Sequence, residues 1–203
     1  MLFTQQDIPA ICELIAQGQL LAYPTEAVWG IGCDPFNEAA VHEILAIKQR
    51  PVEKGMIVVT ASPQLIQPFL APLASEIQQA ILTSWQQTTT TDQAHTWLLP
   101  IPTNLPQSIP DWVTGGRDTL AVRVINHPDI AAVCQALADT QPNNPYGFLI
   151  STSCNPSGDT PATNLAQAQA YFGDRIGYLV GDTLGYTQPS QIHDALSGNL
   201  VRN

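Results

Sequence analysis

Cations are scarce in this chain: only 7 of its 203 residues are lysine or arginine, against 17 aspartates and glutamates, for a formal charge of −10. That balance excludes a uniformly basic nucleic-acid-binding surface, because phosphate contacts need clustered cations and long-range attraction to a polyanion is weak here. Apolar runs are short, and none reaches the ~18 residues that a bilayer-spanning helix requires. Cysteine is limited to Cys12, Cys33, Cys134 and Cys154. They lie far apart with no Cys-x-x-Cys pair, so small buried side chains are expected rather than disulfides or a zinc site. His42, His95, His127 and His193 are equally scattered, and a metal held by protein ligands alone is not expected. The first residues lack the basic region of a signal peptide, which makes the cytoplasm the expected compartment. There is no Gly-x-x-x-x-Gly-Lys-Ser/Thr stretch, so a P-loop is excluded. Without a Gly-x-Ser-x-Gly elbow, a serine hydrolase is disfavoured.

What is present reads as a globular protein. Hydrophobic residues make up 44% of the chain and the mean hydropathy is +0.02. The length suits a single domain spanning 1–203. Apolar periodicity predicts helices beginning near Asp7, Asn37, Ser62, Leu73, Pro128 and Leu165, with Asp7 and Asn37 as caps. Strands are predicted at 20–23, 28–32, 56–60, 96–99, 120–124, 148–151, 176–180, 191–193 and 199–202. Residues 86–95 and 139–146 read as surface-loop insertions, the first being Thr-rich and polar. Strands alternating with helices, then late strands without them, predict an α/β fold with α+β character: a twisted, open, mixed parallel and antiparallel sheet flanked by helices.

The cations that exist are not spread evenly. Residues 1–47 and 55–116 contain none, whereas Lys48, Arg50 and Lys54 fall within one turn. Helix C-termini attract cations through the helix dipole, but that effect calls for one or two. A phosphate site is the alternative, with Arg supplying a forked contact and Lys a point charge. Thr25, between two apolar strands, either belongs to an ordinary turn or faces a pocket. Ser151 to Gly158 is a hydroxyl- and amide-rich turn at a strand end, where α/β sheets usually bind ligands; a purely structural turn is equally compatible. Arg123 lies inside an apolar strand and needs an anion, either an internal Asp or Glu or a carboxylate on a substrate.

Four segments in this order carry a resemblance. Tyr-Pro-Thr-Glu-Ala-Val-Trp-Gly-Ile-Gly-Cys-Asp from Tyr23, Lys-Gln-Arg-Pro-Val-Glu-Lys-Gly from Lys48, Leu-Ala-Val-Arg-Val from Leu120 and Ser-Thr-Ser-Cys-Asn-Pro-Ser-Gly from Ser151 closely resemble the YrdC/TsaC threonylcarbamoyl-AMP synthases. The resemblance covers nearly the whole chain and looks like the single-domain bacterial form. It implies the YrdC-like fold, related to that of DHBP synthase. It also implies a nucleotidyltransferase reaction in which L-threonine, bicarbonate or CO2 and ATP give threonylcarbamoyl-AMP and pyrophosphate for tRNA modification. By the same resemblance, Lys48 and Arg50 are the catalytic cations. Lys48, Arg50, Thr96, Ser153, Asn155 and Arg202 would meet ATP, with Mg2+ carried on the nucleotide rather than by the protein. Thr25, Arg123, Ser151 and Ser190 would hold threonine. Lys54 becomes a rim charge. The implied partners are the TsaB–TsaD–TsaE tRNA-modifying machinery, with tRNA itself bound at most weakly and no membrane.

The chain departs from the family pattern where Trp-Pro-Gly-Pro-x-Thr is expected: Trp85 is followed by residues 86–95 and then Thr96. Cys154 stands where alanine is usual. Two other readings are an RNA-binding or ribosome-maturation module, which the charge disfavours, and a carbamoyl-transfer domain like that of hydrogenase-maturation proteins, disfavoured because no acylphosphatase or zinc-finger module is expected in these 203 residues.

Overall fold

A computed structural model describes residues 1–86 and 93–202. In chain order, β1 (Leu2–Phe3) and a 3-10 turn lead into α1 (Ile8–Ala16), followed by β2 (Leu21–Pro24), β3 (Trp29–Gly32), α2 (Glu38–Ile47) and β4 (Ile57–Thr60). Next come the short α3 (Gln67–Leu70), α4 (Ser75–Gln86), β5 (His95–Pro100), the short α5 (Asp111–Thr114), β6 (Thr119–Val124) and α6 (Pro128–Thr140). The chain ends with β7 (Leu149–Ile150), β8 (Thr152–Ser153), α7 (Leu165–Phe172), β9 (Gly177–Leu179), β10 (Gln191–Asp194) and β11 (Leu200–Arg202). No helix among the described residues is long and apolar enough to cross a membrane.

The strands are mixed in direction, as expected, but they form two sheets rather than one. The first has the order β1-β9-β2-β3-β8 and the second β11-β10-β5-β6-β4-β7. The reason lies in residues 149–153, which change partner midway. Leu149 and Ile150 pair with Val59 and Val58 of β4, whereas Thr152 and Ser153 pair with Ile31 and Gly30 of β3. Ile150 N–H donates to Cys33 O at 2.9 Å and Ser151 N–H to Ile57 O at 2.9 Å, so this segment stitches the sheets together. Gly32 permits the crossing: a Cβ there would lie 1.9 Å from Ile150 O.

Alternation along the strands sorts side chains between two apolar cores. Leu21 and Tyr23 of β2, Val59 and Leu149 pack under α1 and α6, against Ile11, Ile15, Val133 and Leu137. Ala22, Trp29, Ile31, Val58, Leu120 and Val122 join the larger core beneath α2, α3 and α4, where Phe69, Tyr146 and Phe148 meet edge-on and tilted. The four cysteines are buried within these cores as free thiols. On β6 the buried Leu120, Val122 and Val124 alternate with half-buried Thr119, Ala121 and Arg123. Arg123 therefore points away from the larger core.

Two local expectations change. Asp7 occupies the cap position of α1 but makes no side-chain cap bond. Its carboxylate turns back to Thr4, accepting from Thr4 N–H and Oγ1–H at 2.8 Å each in a capping box around the 3-10 turn. The stretch 139–146 is not simply a surface insertion: α6 runs to Thr140, and Asn144 is only 1% exposed. Asn144 donates to Phe148 O and accepts from Phe148 N–H, both at 2.8 Å, because the turn beneath it is buried and needs partners for its backbone. The expected insertion at 86–95 lies mostly on residues 87–92, outside the described residues; Ala94 is buried and His95 already belongs to β5.

Candidate active site

The site begins at the end of α2. Asn37 caps this helix by accepting from Ala40 N–H at 3.1 Å, and Lys48 closes it. Gln49 N–H then donates to Ala46 O and Arg50 N–H to Leu45 O, the paired bonds of a Schellman stop. Gln49 takes the left-handed backbone that such a stop requires, at φ 44°, where glycine is usual. This reversal sends Lys48 and Arg50 to one side of the helix end. Arg50 Nε and Nη2 donate to Gly55 O at 3.1 and 2.8 Å, which fixes the turn at 52–54 beneath the guanidinium.

Lys48 reaches across to the turn after β8. Its Nζ lies 3.0 Å from Ser153 O, 3.2 Å from Ser153 Oγ, 2.9 Å from Asn155 O and 2.9 Å from Asn155 Oδ1. Asn155 Nδ2 donates to Pro156 O and Asp159 O, and this orients Oδ1 towards the lysine. Burial pushes Lys48 below its ordinary pKa; the Cys154 thiol opposes this and Arg50 adds to it. The Cys154 thiol is itself pushed up to about 12 by burial.

A second group sits where β10 lies between β5 and β11. Thr96 Oγ1 and Ser190 Oγ are 3.1 Å apart, and Arg202 Nη2 donates to Ser190 O at 3.0 Å. Thr96 is fully buried and supports Ser190 from behind. A third group surrounds Arg123. Its Nη1 lies 3.3 Å from Glu26 Oε2, so the internal anion allowed for by the sequence is present. Beside it, Thr25 Oγ1 donates to Val28 O at 2.7 Å, which leaves the hydroxyl oxygen as an acceptor. Ser151, at the junction of the sheets, is almost fully buried.

Electrostatics ties the three groups together. Arg202 is held below its ordinary pKa by burial and then by Arg50 and Arg123. Arg50 is lowered by burial and then by Arg117. Thus Lys48, Arg50, Arg117, Arg123 and Arg202, five of the seven cations in the chain, gather in one neighbourhood. Like charges brought together in a protein of net charge −10 require an anion to offset their repulsion. Lys54 meets this group through its backbone, its carbonyl accepting from Arg50 Nη2 at 3.3 Å. The donor set is cationic and neutral, which suits phosphate and carboxylate oxygens. Among the described residues there is no group of three His, Cys, Asp or Glu side chains able to hold a metal.

All ten residues named from the sequence fall in these three groups or at the sheet junction between them. Two participants were not named as site residues. Glu26 adjoins Thr25 within the first quoted segment, but nothing in the sequence shows that it faces Arg123. Arg117 packs closely on the turn at 52–55: its Nη1 would lie 3.1 Å from a Cβ on Gly55.

A sequence profile for Sua5/YciO/YrdC proteins, described as "Telomere recombination", matches residues 13–203. The chain belongs to this family. It is 57% identical over 198 residues to a threonylcarbamoyl-AMP synthase of Psychrobacter cryohalolentis, covering 93% of this chain and 92% of that one. It is 43% identical to the Acinetobacter baylyi threonylcarbamoyl-AMP synthase over the full length of both. Among solved structures, P. abyssi Sua5 complexed with L-threonine aligns with a TM-score of 0.73 at 24% identity, over 96% of this chain and 54% of that one. E. coli YciO aligns with a TM-score of 0.73 at 17% identity, over 100% and 95%. These two establish the likeness of fold.

Proposed function

We propose that this chain is a threonylcarbamoyl-AMP synthase, which condenses L-threonine, bicarbonate or CO2 and ATP into threonylcarbamoyl-AMP and pyrophosphate. The observation that carries the reading is Lys48 seated on Ser153 and Asn155 and Arg202 on Ser190, with Arg50, Arg117 and Arg123 near enough to act electrostatically within the same cluster. It is joined by 43–57% identity to synthases over nearly the whole chain. Residues 1–203 act as one domain.

The chemistry follows from the side chains. The threonine amine adds to CO2 through a new N–C bond and loses a proton, giving a carbamate. A carbamate oxygen then attacks the α-phosphorus of ATP, and pyrophosphate leaves with the electrons of the broken P–O bond. Charge on the phosphate oxygens rises in this step, so preorganised cations lower its barrier more than a general base would. Lys48 and Arg50 supply that charge, while Ser153 and Asn155 hold Lys48 in place and line the nucleotide. Mg2+ arrives on the ATP phosphates.

Arg123 takes the threonine carboxylate; Thr25 Oγ1, Ser151 and Ser190 serve the remaining polar groups. Ser190 touches both Thr96 and Arg202. These contacts with two residues assigned to ATP support a place for Ser190 at the border of the threonine and nucleotide ends, as transfer from carbamate to α-phosphate requires. The adenylate is then consumed in tRNA threonylcarbamoyladenosine formation by the TsaB–TsaD–TsaE machinery. The test is pyrophosphate release from ATP-Mg2+, bicarbonate and L-threonine. Release should require all three, and release that ignores threonine would contradict the reading.

A further inference from the structure

Glu26 is 1% exposed and sits at the meeting point of three segments. Its Oε1 accepts from Asn126 N–H at 2.9 Å, just beyond β6, and its backbone carbonyl accepts from Tyr186 N–H at 2.9 Å. Its Oε2 forms an ion pair with Arg123 Nη1 at 3.3 Å, without hydrogen-bond alignment. The carboxylate is thus fixed from the β6 side before it meets the guanidinium. Arg123, with a side chain 11% exposed, pairs with Glu26 through this nitrogen. Its Nε is buried and has no hydrogen-bond partner. A guanidinium offers two forked edges to a carboxylate, one through the two Nη atoms and one through Nε with an Nη. With Glu26 at Nη1, the edge carrying Nε is the one left for a second anion. A buried N–H without a partner is destabilising, and a carboxylate placed on that edge would remove the cost.

We infer that Glu26 is a positioning residue for substrate selection: it holds Arg123 by Nη1 and so presents the Nε edge to the α-carboxylate of the amino-acid substrate. This rests on the reading that Arg123 receives the threonine carboxylate. Glu26 also balances the Arg123 charge when the site is empty. Without it, the guanidinium would be free to rotate towards the nearest backbone carbonyls, and the Nε edge would no longer be set for a ligand.

The test is calorimetric binding of L-threonine, L-threoninamide and ATP to the parent, Glu26→Gln and Arg123→Lys. The amide keeps the shape of the amino acid but removes the carboxylate charge. The parent should prefer threonine to threoninamide by about tenfold or more, the worth of one charge-assisted hydrogen bond. Glu26→Gln should lose most of that preference, with threoninamide and ATP binding changed by less than about twofold. The double variant should bind threonine no worse than the weaker single one, because both changes remove the same contact. If Glu26→Gln binds threonine as the parent does, or more tightly, the inference is overturned. Equal loss of threonine, threoninamide and ATP also overturns it, because that is the mark of a merely structural residue. Failure of the functional reading looks different: the parent itself would not bind threonine, and the inference would fall with it.

Discussion

Replacing Lys48 with methionine keeps most of its length and removes its charge, so it separates what the ammonium does for the fold from what it does for phosphates. Four oxygens surround Nζ within 3.2 Å, but an ammonium has three protons, so at most three of these contacts are full hydrogen bonds at once. A bond to a charged group contributes about 1.5–3 kcal/mol when well buried. Lys48 is only half-buried, and water can replace part of the loss, so three bonds do not sum. A net destabilisation of about 2–4 kcal/mol is expected, or roughly 4–16 °C in Tm for a chain of this length. Pyrophosphate release, measured well below that Tm at saturating ATP, should fall by about 10²–10³-fold, the usual effect of deleting a group that stabilises charge in the transition state. If Lys48→Met unfolds at the parent temperature and turns over at the parent rate, both halves of the reasoning are wrong. Loss of activity without loss of stability would mean that the contacts to Ser153 and Asn155 contribute nothing to the fold.

Two further outcomes concern parts of the molecule away from the phosphates. Asn144→Ala strands the N–H and C=O of buried Phe148 and should cost about 2–4 kcal/mol in urea unfolding; a change within experimental error would return 139–146 to the status of a surface loop. His95 Nδ1 and His193 Nε2 lie 3.4 Å apart, and burial lowers both pKa values, with His193 adding to the effect on His95. Because the folded values lie below the unfolded one near 6.5, the unfolded chain binds more protons in that window, and stability rises with pH there. The contribution is fully present above pH 6.5 and declines as pH falls through the folded values. His193→Gln should flatten the drop in Tm between neutral and mildly acidic pH, and an unchanged acid limb would refute the assignment.

The cationic cluster at the end of α2 was legible because scarcity made it so. In a chain with seven cations, Lys48, Arg50 and Lys54 in one turn stand out, and a hydroxyl-amide turn at a strand end is a recognisable partner. Asn37 as a cap was equally plain, since its side chain acts on its own helix. The features that were missed depend on contacts distant in sequence. Residues 148–151 read as a strand running into a turn, and only the close approach allowed by Gly32 shows that 149–153 serve two sheets. Asp7 had the right chemistry for a cap, but Thr4 lies within closer reach of its carboxylate. Arg123 was seen to need an anion, yet its partner Glu26 lies 97 positions earlier (123 − 26). Neither residue signals the other, so the pair could not be read from either segment alone.

The most direct measurement follows the carbon. The protein is incubated with ATP-Mg2+, L-threonine and isotopically labelled bicarbonate, and the nucleotide products are separated and weighed by mass spectrometry. The account predicts an adenylate carrying one threonine and one labelled carbon, formed in equal amount with pyrophosphate and at a rate lowered about 10²–10³-fold when Lys48 is replaced by methionine. Pyrophosphate accompanied by plain AMP, or by an adenylate without the label, would contradict it.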